Sequence, residues 1–253
     1  MSHRAESRCI FNHRISKSIN QHLELFQNKK HLFFDLDHTL WDFDRNSAVA
    51  FELIFAAHGF DFAIEDFLKH YVPRNQHYWK LYQVNQISHE DLRYYRLKDV
   101  FDILEVDVSK ELVNQLSEDY ITHLPNSNHL LDGAIEVLEY LQPKYELHII
   151  TNGFHFVQDK KLKNSNIEHF FKSVTNSEMA GVKKPHPTIF EFALSLANAT
   201  KEESIMIGDS WEADIEGAVD FGMDAIFFNA ENIKTEKTSH VEVKHLLELK
   251  NIL

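Results

Sequence analysis

Two aspartates two residues apart, Asp35 and Asp37, follow the apolar run His31-Leu32-Phe33-Phe34 and precede Thr39. The run reads as a short buried strand. Residues i and i+2 of a strand point to the same side, which sets the two carboxylates near each other at its open end. Like charges at that spacing need a cation or a shared proton between them. Packing supplies no reason for such a pair, whereas metal-dependent chemistry does.

Further polar clusters sit at comparable places. Thr151-Asn152 ends the apolar run Glu146–Thr151, and Asp209-Ser210 follows Ser204-Ile205-Met206-Ile207-Gly208. Lys184-Pro185 precedes another helical pattern. Singly, each has an ordinary explanation: a turn, a helix cap, a surface lysine. In this order, each after a strand or before a helix, they suggest one site. Asp35, Asp209 and Asp214 offer hard oxygen donors, which with a backbone carbonyl and waters suit Mg²⁺. Thr151 offers a hydroxyl and Lys184 a point charge for a phosphate. Phosphoryl transfer is the reaction these groups fit. One carboxylate can attack phosphorus and form an aspartyl-phosphate. The other can protonate the leaving oxygen and later activate water. No His or Cys spacing suggests zinc; the 17 histidines are scattered, and read as surface or packing residues.

The elements that must position these groups alternate. Strands are expected at 31–34, 146–151, 173–176, 204–209 and 224–229. Helices are expected at 132–141, 155–164, 167–171, 187–197, 212–221 and 243–250. Such alternation implies an α/β fold, a Rossmann-like three-layer α/β/α parallel sheet. In open parallel sheets ligands bind beyond the carboxyl ends of the strands, where every polar cluster lies. Between the first strand and residue 126, helical periodicity recurs at 46–58, 64–82, 88–105 and 109–123. Ser88 with Asp91 resembles a capping box. The expected organisation is an extension over residues 1–30, a catalytic core over 31–45 and 127–253, and an inserted helical cap over 46–126.

Bulk properties limit the partners. The chain has 253 residues, 43% hydrophobic and 26% charged, within the range of ordinary globular proteins. A formal net charge of −13 argues against a nucleic acid polymer. It leaves room for a small anionic substrate beside a local cation. Cys9 is the lone cysteine, so no internal disulfide forms, as suits a reducing cytoplasm. No apolar run is long enough for a membrane span. Residues 1–30 carry six Lys/Arg against two Glu, which fits a loosely ordered extension, a start codon placed upstream, or a transit peptide.

Four segments resemble the motifs of the haloacid dehalogenase superfamily: Asp35-Leu36-Asp37-His38-Thr39-Leu40, Ile150-Thr151-Asn152-Gly153, Lys184-Pro185 and Gly208-Asp209-Ser210-Trp211-Glu212-Ala213-Asp214. The resemblance covers about residues 31–230 and implies roles for these residues. Asp35 is then the nucleophile and Asp37 the general acid/base. Thr151, Asn152 and Lys184 bind phosphate. Asp35, the Asp37 backbone carbonyl and Asp209 hold Mg²⁺, and Asp214 is a ligand through water or a partner of Lys184. The helical insert is similar to that superfamily's first-class cap. Leu40-Trp41-Asp42-Phe43-Asp44 is similar to the noncanonical pyrimidine nucleotidases, which act on pyrimidine (deoxy)nucleoside monophosphates. The resemblance thus implies a cytoplasmic phosphatase of small phosphorylated substrates. Dehalogenases generally lack the second Asp, so Asp37 disfavours that activity. A phosphomutase, a sugar-phosphate or phosphoglycolate phosphatase, and a non-catalytic binding module retaining the fold remain as alternatives. Substrate choice falls to the insert, where Arg74–Tyr82 and Arg93–Arg96 are rich in rings and donors. Trp79 and Tyr82 either stack on a base or pack together as cap core at i, i+3.

Overall fold

The structure is a computed structural model that describes residues 26–235 and 241–253. The extension expected over residues 1–30 therefore lies mostly outside the described residues, and Cys9 with it. Strand β1 (His31–Phe34) is buried along its whole length. It is flanked by β2 (Glu146–Thr151) on one side and β4 (Ser204–Gly208) on the other, both parallel to it. With β3 (Phe171–Asn176), β5 (Asp224–Phe228) and β6 (Val241–Val243) the sheet has the order β3-β2-β1-β4-β5-β6, all parallel. The expected parallel α/β fold is thus the fold observed. A parallel strand with helices on both faces needs apolar residues on both. Leu32, Phe34, Ile149 and Ile207 accordingly join one core, while Phe33, Ile150, Met206 and Phe227 join the other.

Between β1 and β2 run α1 (Phe43–His58), α2 (Ile64–Gln83), α3 (His89–Ile103), α4 (Lys110–His123) and α5 (Ala134–Leu141). Local signals set several of their ends. Asp42 accepts a hydrogen bond from the Arg45 N–H to start α1, and Gly59 closes it at φ 73°, where a side chain is disfavoured. Ser88 and Asp91 form the reciprocal capping box at the start of α3. Phe51 holds these helices together, stacking on Tyr120 at 4.4 Å and meeting Phe67 at 4.9 Å and Tyr71 at 4.6 Å. Trp79 and Tyr82 lie outside this aromatic cluster.

After β2 come α6 (His155–Asn164), a single helical turn at Ser177–Ala180, and α7 (Pro187–Ala197) with proline in its first turn. Past β4 the chain makes one wide turn of i→i+5 type over Trp211–Glu216 before α8 (Gly217–Phe221). The end of the chain differs from expectation. Residues 243–250, expected as one helix, are instead the last residue of β6 and a 3₁₀ segment, Leu246–Asn251. Val241 and Val243 pair with β5 on the open edge of the sheet, and that pairing overrides the local helical pattern. No helix among the described residues is long and apolar enough to cross a membrane.

Candidate active site

Asp35, Asp37, Thr151, Asn152, Lys184, Asp209 and Asp214 all line one cavity of about 730 Å³ beyond the carboxyl ends of β1, β2 and β4. Asp35 is the first residue past β1, and its backbone N–H donates to the Ile207 carbonyl of β4 at 2.9 Å. Its carboxyl oxygen Oδ1 accepts from Lys184 Nζ at 2.6 Å. The same Nζ lies 2.6 Å from Asp214 Oδ1 and donates to the Ile150 carbonyl at 2.7 Å. Lys184 is therefore the lysine of the Lys183-Lys184 pair that enters the site. Lys183 instead covers the Tyr82 ring at 4.0 Å and donates to Asn85 Oδ1 at 2.7 Å.

Ligand oxygens of Asp35, Asp209 and Asp214 lie within 4.8 Å of one another. Among the described residues, one ammonium group, on Lys184, touches Asp35 and Asp214. Burial pushes the Asp35 carboxyl well above its ordinary range, with Asp214 and Asp209 adding to the rise and Lys184 opposing it. Asp209 is pushed up to about 8, chiefly by desolvation and then by Asp214. Burial works against charge on Lys184, but Asp214 and Asp35 outweigh it and keep the ammonium firmly protonated. Three desolvated carboxylates around one cation form a site short of positive charge. Their all-oxygen donor set is the kind Mg²⁺ prefers.

Glycine makes the cluster possible. A Cβ on Gly208 would lie 2.2 Å from Asp214 Oδ2, so any side chain at that point of β4 would displace the carboxylate. Asp214 Oδ2 accepts from the Ser210 N–H at 3.0 Å, which fixes the carboxylate against the turn. Thr39 Oγ1 donates to Asp209 Oδ1 at 3.0 Å.

Asp37 does not share the metal-type cluster through its carboxylate. Lys161 Nζ lies 2.5 Å from Asp37 Oδ1, and Gln158 Nε2 donates to Oδ2 at 2.9 Å. The like-charge problem posed by the Asp35/Asp37 pair is thus answered by two buried lysines, one for each carboxylate. Lys161 and Gln158 were not foreseen from sequence. They stand at i and i+3 on α6, a spacing shared by countless ordinary helix pairs. Burial lowers the affinity of Lys161 for its proton, and Asp37 partly restores it. The ammonium also sits over the rings of Trp41, at 4.2 Å, and Phe43, at 5.3 Å.

Gln158 uses its second N–H on Thr151 Oγ1 at 2.7 Å, and the Gly153 N–H donates to the same oxygen at 3.1 Å. With both acceptor positions filled, the Thr151 hydroxyl hydrogen is directed elsewhere. A Cβ on Gly153 would stand 2.1 Å from Gln158 Nε2. Asn152, expected to bind phosphate, turns its side chain to the backbone of Lys184 instead. Its Oδ1 accepts from the Lys184 N–H at 2.7 Å and its Nδ2 donates to the Lys184 carbonyl at 3.0 Å.

The far wall of the cavity comes from α2, with Asn75, Gln76, Trp79, Lys80 and Gln83, and from the loop after β5, with Asn229 and Ile233. Trp79 and Tyr82 are half-buried. They face Phe154, in the loop after β2, at 5.7 and 6.4 Å, so they join the helical insert to the core across the mouth of the site.

Comparison with known proteins agrees with this geometry. The family model for haloacid dehalogenase-like hydrolases matches residues 29–222. The chain is 32% identical over 207 residues to the pyrimidine 5′-nucleotidase PynA of Streptococcus pneumoniae, covering 81% of this chain and 86% of that one. It is 32% identical over 200 residues to the pyrimidine 5′-nucleotidase YjjG of Escherichia coli, covering 79% and 85%. Among solved structures, the magnesium-bound HAD-hydrolase YfnB of Bacillus subtilis superposes with a TM-score of 0.79 at 28% identity, over 88% of this chain and 98% of that one.

Proposed function

This chain belongs to the haloacid dehalogenase-like hydrolases, and on that footing we propose that it is a Mg²⁺-dependent 5′-nucleotidase of pyrimidine nucleoside monophosphates. One observation carries the reading: the Asp35 carboxylate, gripped on one oxygen by Lys184, faces a cavity that also holds Thr151 and the Asp209/Asp214 pair. The relatives named pyrimidine 5′-nucleotidases support the choice of substrate.

Asp35 Oδ2 attacks phosphorus, forming an acyl-phosphate bond as the bond from phosphorus to the ester oxygen breaks. Asp37, holding the proton it took from water in the preceding turnover, gives that proton to the leaving oxygen, and the nucleoside departs. Asp37 then takes a proton from water, the water oxygen attacks phosphorus, and Asp35 is released with inorganic phosphate. Asp37 begins with both oxygens engaged, so it exchanges the Gln158 or Lys161 contact for the leaving oxygen. The Thr151 hydroxyl and the Lys184 ammonium bind phosphoryl oxygens, and Asn152 holds the Lys184 backbone so that its side chain reaches the site. Asp35, Asp209 and Asp214 would hold Mg²⁺, which supplies charge neutralisation for the transferring phosphoryl group. Residues 46–126 serve as the cap that excludes water from the acyl-phosphate. In the cap, Trp79 and the amides of Asn75, Gln76 and Gln83 face the nucleoside.

The test is steady-state phosphate release with Mg²⁺ from UMP, dUMP and dTMP, set against sugar phosphates and phosphoglycolate. The reading expects the highest kcat/KM on a pyrimidine nucleotide. A higher value on a sugar phosphate would leave the phosphatase chemistry intact and overturn the nucleotide assignment.

A further inference from the structure

At the other end of the sheet, His31 opens β1 and Glu146 opens β2. The parallel register puts His31 opposite Glu146 and Phe33 opposite His148. Glu146 and His148 are two residues apart on one strand, so all three side chains rise from the same face. His31 Nδ1 lies 3.2 Å from His148 Nε2 and 3.9 Å from Glu146 Oε2, and the three ligand atoms fall within 4.8 Å of one another. We propose that His31, Glu146 and His148 bind a borderline transition-metal ion of the zinc class. This site is separate from the catalytic cavity and does not depend on the nucleotidase reading.

The donor chemistry selects the ion. Two imidazoles and a carboxylate are a poor set for Mg²⁺ and a familiar one for Zn²⁺, with a fourth position left to water. At Zn–N distances of about 2.0–2.1 Å, two ligands on one tetrahedron stand about 3.3–3.4 Å apart. The imidazole nitrogens already meet that separation at 3.2 Å. The carboxylate must approach His31 by roughly half an ångström, and His148 by more, to reach the same tetrahedral spacing. Glu146 is exposed, while both histidines are buried.

The surroundings fix the histidine that matters most. His148 Nδ1 lies 2.8 Å from Ser173 Oγ on β3, which leaves Nε2 turned toward His31. Its ring stacks on Phe33 at 4.6 Å and 21°. A ligating histidine held by a hydrogen bond through its second nitrogen is the usual arrangement at metal sites. The exposed Glu146 gives the ion a route from solvent. The site lies four residues up β1 from Asp35, roughly 13 Å at a strand rise of about 3.3 Å per residue. An ion there ties the start of β1 to β2 and stabilises the folded chain rather than taking part in turnover. Sequence spacing could not reveal it, because 117 residues separate the two histidines.

The probes are Zn²⁺ and Co²⁺ added to the full chain in excess Mg²⁺, which occupies the all-oxygen site. The proposal expects one equivalent of Zn²⁺ taken from a chromogenic chelator, and a rise in Tm with Zn²⁺. It also expects the intense visible bands of four-coordinate Co²⁺ bound to nitrogen. Glu146→Gln, at an exposed position, should weaken Zn²⁺ by at least the roughly 10–100-fold that loss of a supporting partner costs. His31→Ala should remove the Co²⁺ bands. No Zn²⁺ uptake in excess Mg²⁺ would overturn the proposal. So would unchanged affinity and spectrum in both variants, since the ion would then sit elsewhere.

Discussion

Lys161 and Gln158 give Asp37 a defined pose: one holds each oxygen, and Gln158 ties the same carboxylate to Thr151. In the proposed mechanism these two residues act on the reaction through Asp37 and Thr151. Lys161→Met keeps the length of the side chain and its packing on Trp41 but removes the charge. Steady-state kinetics of this variant should show kcat reduced by about ten- to a hundredfold with KM little changed, within the range over which acid–base assistance operates. A change confined to KM would instead make Lys161 a substrate-binding group. Thr151→Val removes a hydroxyl hydrogen directed away from its two protein donors and should raise KM for phosphomonoesters; it also strands the Gln158 and Gly153 N–H groups, which should cost about 1–3 kcal/mol in denaturant unfolding. Most of the residues readable from sequence were those at strand ends, where polar groups are out of place unless they do something. Lys161 and Gln158 escaped notice, and Thr39 was noted without a role, because a helical lysine, a helical glutamine and a threonine after a strand have ordinary explanations.

Among the elements, β1 and β4 are the most informative, since their short apolar runs stop abruptly at Asp35 and Asp209. Helix α6 is the element whose function is hidden. Its helical pattern is plain, but the face it turns to Asp37 is set by the tight turn at Gly153. Gly153→Ala would drive a methyl group into Gln158. This variant should lower kcat at least as far as Gln158→Ala does, with the fold intact by circular dichroism; a fully active Gly153→Ala would show that the contact is dispensable. In the insert, the ring-rich segment of α2 divides in two. Tyr71 enters the aromatic core and Trp79 turns to the cavity and Phe154. Helical spacing alone cannot tell these faces apart, because both are apolar. Phe51 stands at the centre of that aromatic core, so Phe51→Ala should cost about 3–5 kcal/mol in denaturant unfolding. The segment after residue 240 was misread for a related reason: three residues that pair on a sheet edge carry too short a pattern to compete with the helical periodicity beside them.

Over the whole molecule, alternating strands and helices made the parallel sheet legible, and the helical block between β1 and β2 stood out as a single interruption. What remained hidden were contacts between distant segments, such as His31 with His148 and Lys161 with Asp37, which only the register of the sheet brings together. The chain carries a net charge of −13, and its site gathers three carboxylates, two of them in contact with one lysine. A divalent cation should therefore favour the folded state. Saturating Mg²⁺ at about a hundred times its Kd is worth about 2.7 kcal/mol by mass action. Chelation should lower Tm and abolish phosphate release, and Mg²⁺ should restore both. Asp209→Asn should lose most of the Mg²⁺-dependent Tm shift. The central claim is that Asp35 is the attacking group. Its most direct measurement is kcat for Mg²⁺-dependent phosphate release from dUMP by Asp35→Asn beside the wild type, with both proteins shown to be folded by their melting curves. We predict a fall of about a thousandfold or more, to the level of the buffer. A folded Asp35→Asn enzyme that keeps a tenth of the wild-type rate would contradict the account.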